Sequence, residues 1–170
     1  MTFGFLNFMS HKILVVDDDA DTREMYAEVF REDGFEVLTA HDGAEGFDVA
    51  SREKPDVIFT GIIMPRLDGF QMVENLRKNV ATSKIPVMIS SHLGRKEDQL
   101  KAQEMGIEDF IILGFVPPRE VVRIAHSRIE GGRETAYRIN VEAASGDAAK
   151  ITRDFNLPSY LKCPEHEDEQ

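Results

Sequence analysis

Positions 17–21 read DDDAD and follow directly on the apolar run ILVV at 13–16. Carboxylates this close repel one another unless a cation or hydrogen-bond donors offset them, so a divalent-ion site is one reading of the cluster. As a calcium loop, Asp17, Asp19, Asp21 and Glu28 fall at ligand positions one, three, five and twelve. The sixth position, a glycine in such loops, is Thr22, and a strand pattern precedes the cluster where a helix is required. Calcium fails on both counts. As the nucleophile motif of a phosphatase-like α/β protein, Asp17-x-Asp19 supplies the acid pair, but Asp21 stands where Thr or Val belongs. The plainest reading is structural: Asp19 caps a helix and its neighbours are solvated.

The elements that must hold this cluster are legible from periodicity. Short β-branched or aromatic runs at 13–16, 37–39, 57–60, 87–90 and 110–112 read as buried strands, with helical spacing between them. In the first helical segment Met25 and Val29 share a face, and Tyr26 and Phe30 lie beside them. The second opens on Asp42 with Glu45 three residues on, a capping-box spacing. Gly34 and Gly106 stand where helices should stop, and Pro117-Pro118 where the last should start, running to about Ile129. Strands alternating with helices imply a doubly wound α/β fold with a parallel sheet. In such sheets functional groups gather at the carboxyl ends of the strands. Those ends carry Asp17, Asp18 and Asp19; Gly61; Ser91; and Leu113.

The bulk composition limits the classes of function. The chain has 170 residues, 42% of them apolar and 30% charged, with a formal net charge of −11. That acidity excludes a generic nucleic-acid binder, which needs clustered Lys and Arg for phosphates. The single cysteine, Cys163, cannot form an internal disulfide and fits a reducing compartment. The apolar MTFGFLNFM start has no basic lead-in, no cleavage pattern and too few residues to span a membrane. A cytoplasmic location with no membrane partner is expected. Residues 1–10 are expected to form a loose arm, 11–130 one domain, and 131–170 a short extension. Within the extension, 136–141 reads as a strand, 147–155 as a short helix, and EHEDEQ as a solvated tail. It is too short for a DNA-binding output module of ordinary size, and it is not basic. Cys163 and His166 make only half of a zinc-ligand set.

Four segments, KILVVDDD, PDVIFTGIIMPRLDGF, IPVMISS and GIEDF, occur in an order and at spacings that resemble the receiver domain of bacterial two-component response regulators. The likeness covers roughly residues 12–129. It implies a flavodoxin-like, five-stranded parallel sheet of order 2-1-3-4-5 between two and three helices. It also implies a function, acceptance of a phosphoryl group from a histidine kinase onto one aspartate with Mg²⁺ assisting. Carried over by position, Asp17 and Asp18 match the metal-holding acids, Asp18 the closer ligand and Asp17 acting through water. Ile63 matches the residue whose carbonyl touches the metal, Ser91 the hydroxyl position, and Phe110 the switching aromatic.

Two positions depart from that pattern. The acceptor aspartate is replaced by Gly61, and the lysine that contacts phosphoryl oxygens by Leu113, with Gly114 in place of the following proline. Thr60 should point to the opposite face of the sheet, and Asp68 should cap the next helix, so neither substitutes as acceptor. The expectation is a degenerate receiver (a pseudo-receiver) that is not an enzyme, binds Mg²⁺ weakly at best through Asp17, Asp18 and Ile63, and acts as a protein-interaction module. Its partner would be a histidine kinase, another signalling protein or a second copy, met on the face of the fourth helix, fifth strand and fifth helix. On that last helix Val121, Val122, Ala125 and Ile129 form the expected core stripe, leaving Arg119, Arg123 and Arg128 outside. The alternatives are a phosphoryl-accepting receiver with a non-standard site and a small-ligand or metal-binding module.

Overall fold

The apolar run at 13–16 forms strand β1 (Lys12–Val16), with Ile13, Leu14, Val15 and Val16 all buried. Burial of consecutive residues means that both faces of the strand are covered, as a central parallel strand requires. The computed structural model describes residues 10–131. The expected N-terminal arm (apart from Ser10) and the extension from 132 onward, with its strand, helix and Cys163–His166 pair, lie outside the described residues. Within them the order is β1, α1 (Ala20–Glu32), β2 (Glu36–Ala40), α2 (Gly43–Glu53), β3 (Val57–Gly61), α3 (Gly69–Lys78), β4 (Val87–Ser91), α4 (Lys96–Glu104), β5 (Asp109–Ile112) and α5 (Pro118–Ile129). All neighbouring strands are parallel and the sheet order is β2-β1-β3-β4-β5, the doubly wound arrangement expected.

Alternation along the strands divides the core in two. Ile13, Val15, Val57, Phe59, Met88 and Ile111 meet α1 and α5 on one face of the sheet. Leu14, Val16, Ile58 and Ile89 meet α2, α3 and α4 on the other. The first helix is rotated from its expected setting. Tyr26, Ala27 and Phe30 are its buried residues, Val29 is half-buried and Met25 is exposed. The aromatic rings decide the rotation, because Tyr26 and Phe30 both pack edge-on against Phe59, at centroid distances of 4.8 and 6.2 Å. In α5, Ile124 joins Val121, Val122 and Ala125 in the core, and Ile129 is only partly buried.

The arginines of α5 also differ from expectation. Arg128 is not on the outside: its side chain is 12% exposed, and its guanidinium grips Asp109 at the start of β5 and Glu108 beside it. Asp109 is buried, and a buried carboxylate must be paired, which draws Arg128 inward. Arg123 folds back onto Glu120 one turn earlier, and only Arg119 and Arg123 have exposed side chains.

Helix caps were better signalled. Asp19 caps α1 by accepting from the Thr22 N–H, and Asp68 with Gln71 forms a complete capping box on α3. Asp42 caps α2 through the N–H groups of Ala44 and Glu45, but Glu45 reaches back to the His41 N–H, one residue earlier than a capping box requires. The fully buried Asp42 carboxylate also receives the guanidinium of Arg66, from the loop between β3 and α3.

That loop is pressed flat by a second contact. The Gly69 N–H donates to the Ile62 carbonyl at 2.8 Å, and a Cβ on Gly69 would lie 2.0 Å from the Gly61 carbonyl oxygen. Only glycine lets the first turn of α3 approach the end of β3 this closely. Gly69→Ala is expected to destabilise the fold by about 2 kcal/mol, since the obstacle is backbone and cannot rotate away. A urea denaturation midpoint indistinguishable from that of the parent protein would contradict this.

Candidate functional site

The parallel register brings the carboxyl ends of β1, β3 and β4 side by side: Val16 pairs with Thr60, and Gly61 with Ser90. Beyond them opens a cleft of about 250 Å³, whose lining includes Asp17, Asp18, Asp19, Gly61, Ser91 and His92. Thr60 does not line it. Its hydroxyl is buried and donates to the Gly61 carbonyl.

Asp17 is the innermost acid, with 7% of its surface exposed. Its N–H still bonds to the Ala40 carbonyl, continuing the β1–β2 ladder, and its own carbonyl accepts from Arg23. Of the two carboxylate oxygens, Oδ1 accepts the Asp19 N–H at 2.9 Å. Burial pushes the Asp17 carboxyl above its ordinary range. The Asp19 N–H opposes that shift, while the charges of Asp18 and Asp19 add to it. Asp19 goes the other way, because the hydrogen bonds from Thr22 favour its charged form. Asp18 is exposed at the mouth.

Opposite Asp17 stands Gly61. A Cβ there would sit 3.2 Å from Asp17 Oδ2, a tight contact, so position 61 lies directly against that oxygen and presents no side chain to it. Ser91 is buried, and its Oγ accepts the N–H groups of Leu93 and Gly94, which folds the turn after β4. Only its hydroxyl hydrogen remains to donate. Ile63 lies on the rim with 69% of its surface exposed.

Leu113 is absent from the cleft. Its N–H bonds to the Ser91 carbonyl, but its side chain packs with the α1–α5 side of the core. There it lines a separate hollow of about 430 Å³ with Tyr26, Phe115 and Val116, and His92 borders both spaces. An apolar side chain gains nothing among carboxylates and turns to the apolar side. Phe110 is half-buried against the α2–α4 side of the core, Asp68 is spent on its helix cap, and none of the three α5 arginines reaches the cleft. Sequence reasoning missed His92, which adjoins the strand end and feels the charges of Asp17 and Asp19. Its position directly after Ser91 was the available signal.

The donor set does not suit a resident Mg²⁺. Among the described residues no three His, Cys, Asp or Glu side chains are grouped to hold a metal. Asp17 is desolvated with one oxygen already engaged, Asp18 is exposed, and position 61 offers nothing. Mg²⁺ can manage with two carboxylates when phosphate oxygens complete its shell, but no side chain here can carry a phosphate at 61.

A doubly wound sheet with carboxylates gathered beyond β1 defines the architecture of a receiver-type α/β domain. The family model for the response regulator receiver domain matches residues 13–123, and the chain belongs to that family. The chain is 34% identical over 113 residues to a probable transcriptional regulator, ycf27, of Guillardia theta, covering 66% of this chain and 43% of that protein. It is 33% identical over 116 residues to the phosphate regulon transcriptional regulatory protein PhoB of Escherichia coli K12, covering 68% and 51%. It thus spans about half the length of these curated relatives. Among solved structures, the chemotaxis protein CheY4 of Vibrio cholerae superposes with a TM-score of 0.65 at 25% identity, over 71% of this chain and 98% of that one. The receiver domain of the sensor histidine kinase PA1611 from Pseudomonas aeruginosa PAO1, solved with a magnesium ion coordinated in its active-site cleft, shares the fold at a TM-score of 0.66 and 21% identity, over 71% and 98%. No helix among the described residues is long and apolar enough to cross a membrane.

The raised Asp17 titration has a signed consequence for stability. A carboxyl whose native pKa lies above its unfolded value of about 3.9 keeps its proton in the folded state over the interval between the two. Stability therefore falls as pH rises through that interval, and above the unfolded value the buried Asp17 carboxyl is a net cost. Asp17→Asn, which can still accept the Asp19 N–H, is expected to raise the melting temperature at neutral pH. The gain should vanish at about pH 3 and below, where both states are protonated. Thermal melts of the two proteins at a series of pH values test this, and an unchanged or lowered midpoint at neutral pH would refute it.

Proposed function

We propose that this receiver domain signals by protein contact and does not accept a phosphoryl group. The observation that carries the reading is Gly61. The strand end that faces Asp17 bears no side chain, hence no nucleophile for phosphorus and no third carboxylate for a metal. Phosphoryl transfer depends on positioning a nucleophile and neutralising the transferred group. Here the first requirement is missing, and Leu113, lining the apolar hollow, supplies nothing to the second. In this reading the domain is not an enzyme, and Asp17, Asp18, Ser91 and Phe110 are remnants of a phosphoryl site whose scaffold persists.

The partner is a histidine kinase, another signalling protein or a second copy, met on the face of α4, β5 and α5. Arg119 is the exposed cation of α5 best suited to an acidic counterpart; Arg123, also exposed, is already paired with Glu120, and Arg128 serves the internal pair with Asp109. Residues 11–130 are the signalling unit, with the segments on either side as appendages.

Incubation of the full chain with a small-molecule phosphodonor and Mg²⁺, followed by intact mass measurement, decides the main claim. The expected spectrum contains no phosphorylated species, and stoichiometric gain of one phosphoryl group would overturn the reading. Gly61→Asp is expected to remain far less reactive than an ordinary receiver. It restores the nucleophile but not the lysine, and it sets a third carboxylate against Asp17. Magnesium chloride should leave the melting temperature of the parent protein unchanged, since a ligand stabilises a fold only in proportion to its binding.

A further inference from the structure

We infer that His11 and His126 join Cys163 and His166 of the extension in a four-ligand zinc site. In the sequence, Cys163 and His166 make half of such a set, with no second pair beside them. The fold assembles a second pair from opposite ends of the domain. His11 precedes β1 and His126 lies in the last turn of α5, yet their ring centroids are 6.2 Å apart with the planes at 74°. The buried Phe35 packs against both rings. This place is at the amino end of β1, away from the cleft beyond its carboxyl end, and the inference is independent of the phosphotransfer question.

Both imidazoles are braced as metal ligands are. His126 Nε2 lies 2.6 Å from Asp33 Oδ2, a hydrogen bond, and His11 Nδ1 lies 3.8 Å from Asp56 Oδ2, an ion-pair distance. An ionised carboxylate only accepts, so it favours the ring hydrogen on the nitrogen that faces it. The lone pair is then left on Nδ1 of His126 and Nε2 of His11. Metal-binding histidines are held in this way, with the carboxylate fixing tautomer and ring orientation. Both side chains are more than a third exposed, so a ligand-bearing segment can reach them. Among the described residues no third His, Cys, Asp or Glu joins them in a metal-binding group, so a metal here needs ligands from outside those residues.

The extension carries those ligands and leaves the domain beside the pair, since the described residues end at Gly131, just past His126 and α5. Reach is no constraint. Residues 132–162 span up to roughly 100 Å when extended, at about 3.3 Å per residue. The ligand chemistry selects the metal. One thiolate and three imidazoles fill a tetrahedral shell, as a structural Zn²⁺ site requires, whereas Mg²⁺ and Ca²⁺ prefer oxygen ligands. A closed site of this kind leaves no open position for catalysis, and it ties the extension to the end of α5.

The test is titration of the reduced full chain with Co²⁺, a coloured stand-in for Zn²⁺, followed by displacement with Zn²⁺ itself. The expected product holds one metal per chain and shows a thiolate-to-metal charge-transfer band, which Cys163→Ser abolishes. His11→Ala and His126→Ala should each weaken Co²⁺ binding about tenfold or more, at least the effect of losing an outer-shell partner. His41→Ala, which alters an exposed histidine at the other end of the sheet, should leave binding unchanged. In the parent protein Zn²⁺ should shift the ring nitrogen resonances of His11 and His126, a readout that needs no variant. Absence of the charge-transfer band, or ring resonances of those two histidines that stay in place, would overturn the site. So would one metal per two chains with affinity unaltered in His11→Ala and His126→Ala, because Cys163 and His166 would then pair across two copies.

Discussion

The cleft depends on one constraint, the parallel register of β1 against β3. Ile13 through Val16 pair with Val57 through Thr60, so the residue after β1 must lie beside the last residue of β3. Both strands are buried on both faces, and a slip of one residue would turn every core side chain to the wrong side. The meeting of Asp17 with position 61 is therefore imposed by the core rather than chosen by the loops. Once the register is set, the identity of residue 61 decides what the innermost carboxylate faces, and glycine offers it no side chain.

The loop after β3 is held independently of residue 61. Gly69 packs on the Gly61 carbonyl, Asp68 closes a capping box, and Arg66 ties the loop to the buried Asp42 at the start of α2. Burial pushes the Asp42 carboxyl upward, but the N–H groups of Glu45 and Ala44 and the Arg66 guanidinium outweigh it and hold the group below its ordinary range. None of these contacts needs a side chain at 61. A receiver scaffold can thus lose its acceptor without losing its loop, because the forces that shape the loop and the groups that do the chemistry are different atoms.

What the sequence disclosed and what it concealed divide along the range of the interaction. Five strands and the caps Asp19 and Asp68 were legible, because apolar runs and capping leave signatures within a few residues. The strand order came from the family resemblance, and β2, expected to be buried, is an edge strand with only Ala40 buried. The rotation of α1 was not, since Met25 and Tyr26 are adjacent apolar residues and only the position of Phe59 decides between them. Arg128 looked like a surface residue until its distance in sequence from Asp109 was closed by the fold. Arg66 and Asp42, 24 residues apart, are a pair of the same kind. At the site, position counting located Gly61 and Ser91 within the cleft but put Leu113 at the acidic site. Where an apolar side chain settles depends on which neighbouring space is apolar, and that is a property of the assembled chain.

The weakest-held element near the cleft is α4. Ala102 is its only buried residue, and Arg95 at its N-cap makes no side-chain cap bond, so it has little hydrophobic anchorage for its length. Elements with few buried apolar contacts open at the least cost, and they are where a protein's response to a partner is most easily expressed. Asp98, in the first turn of α4, lines the cleft alongside Asp17. The helix with the least apolar anchorage is thus the one whose first turn borders the cleft.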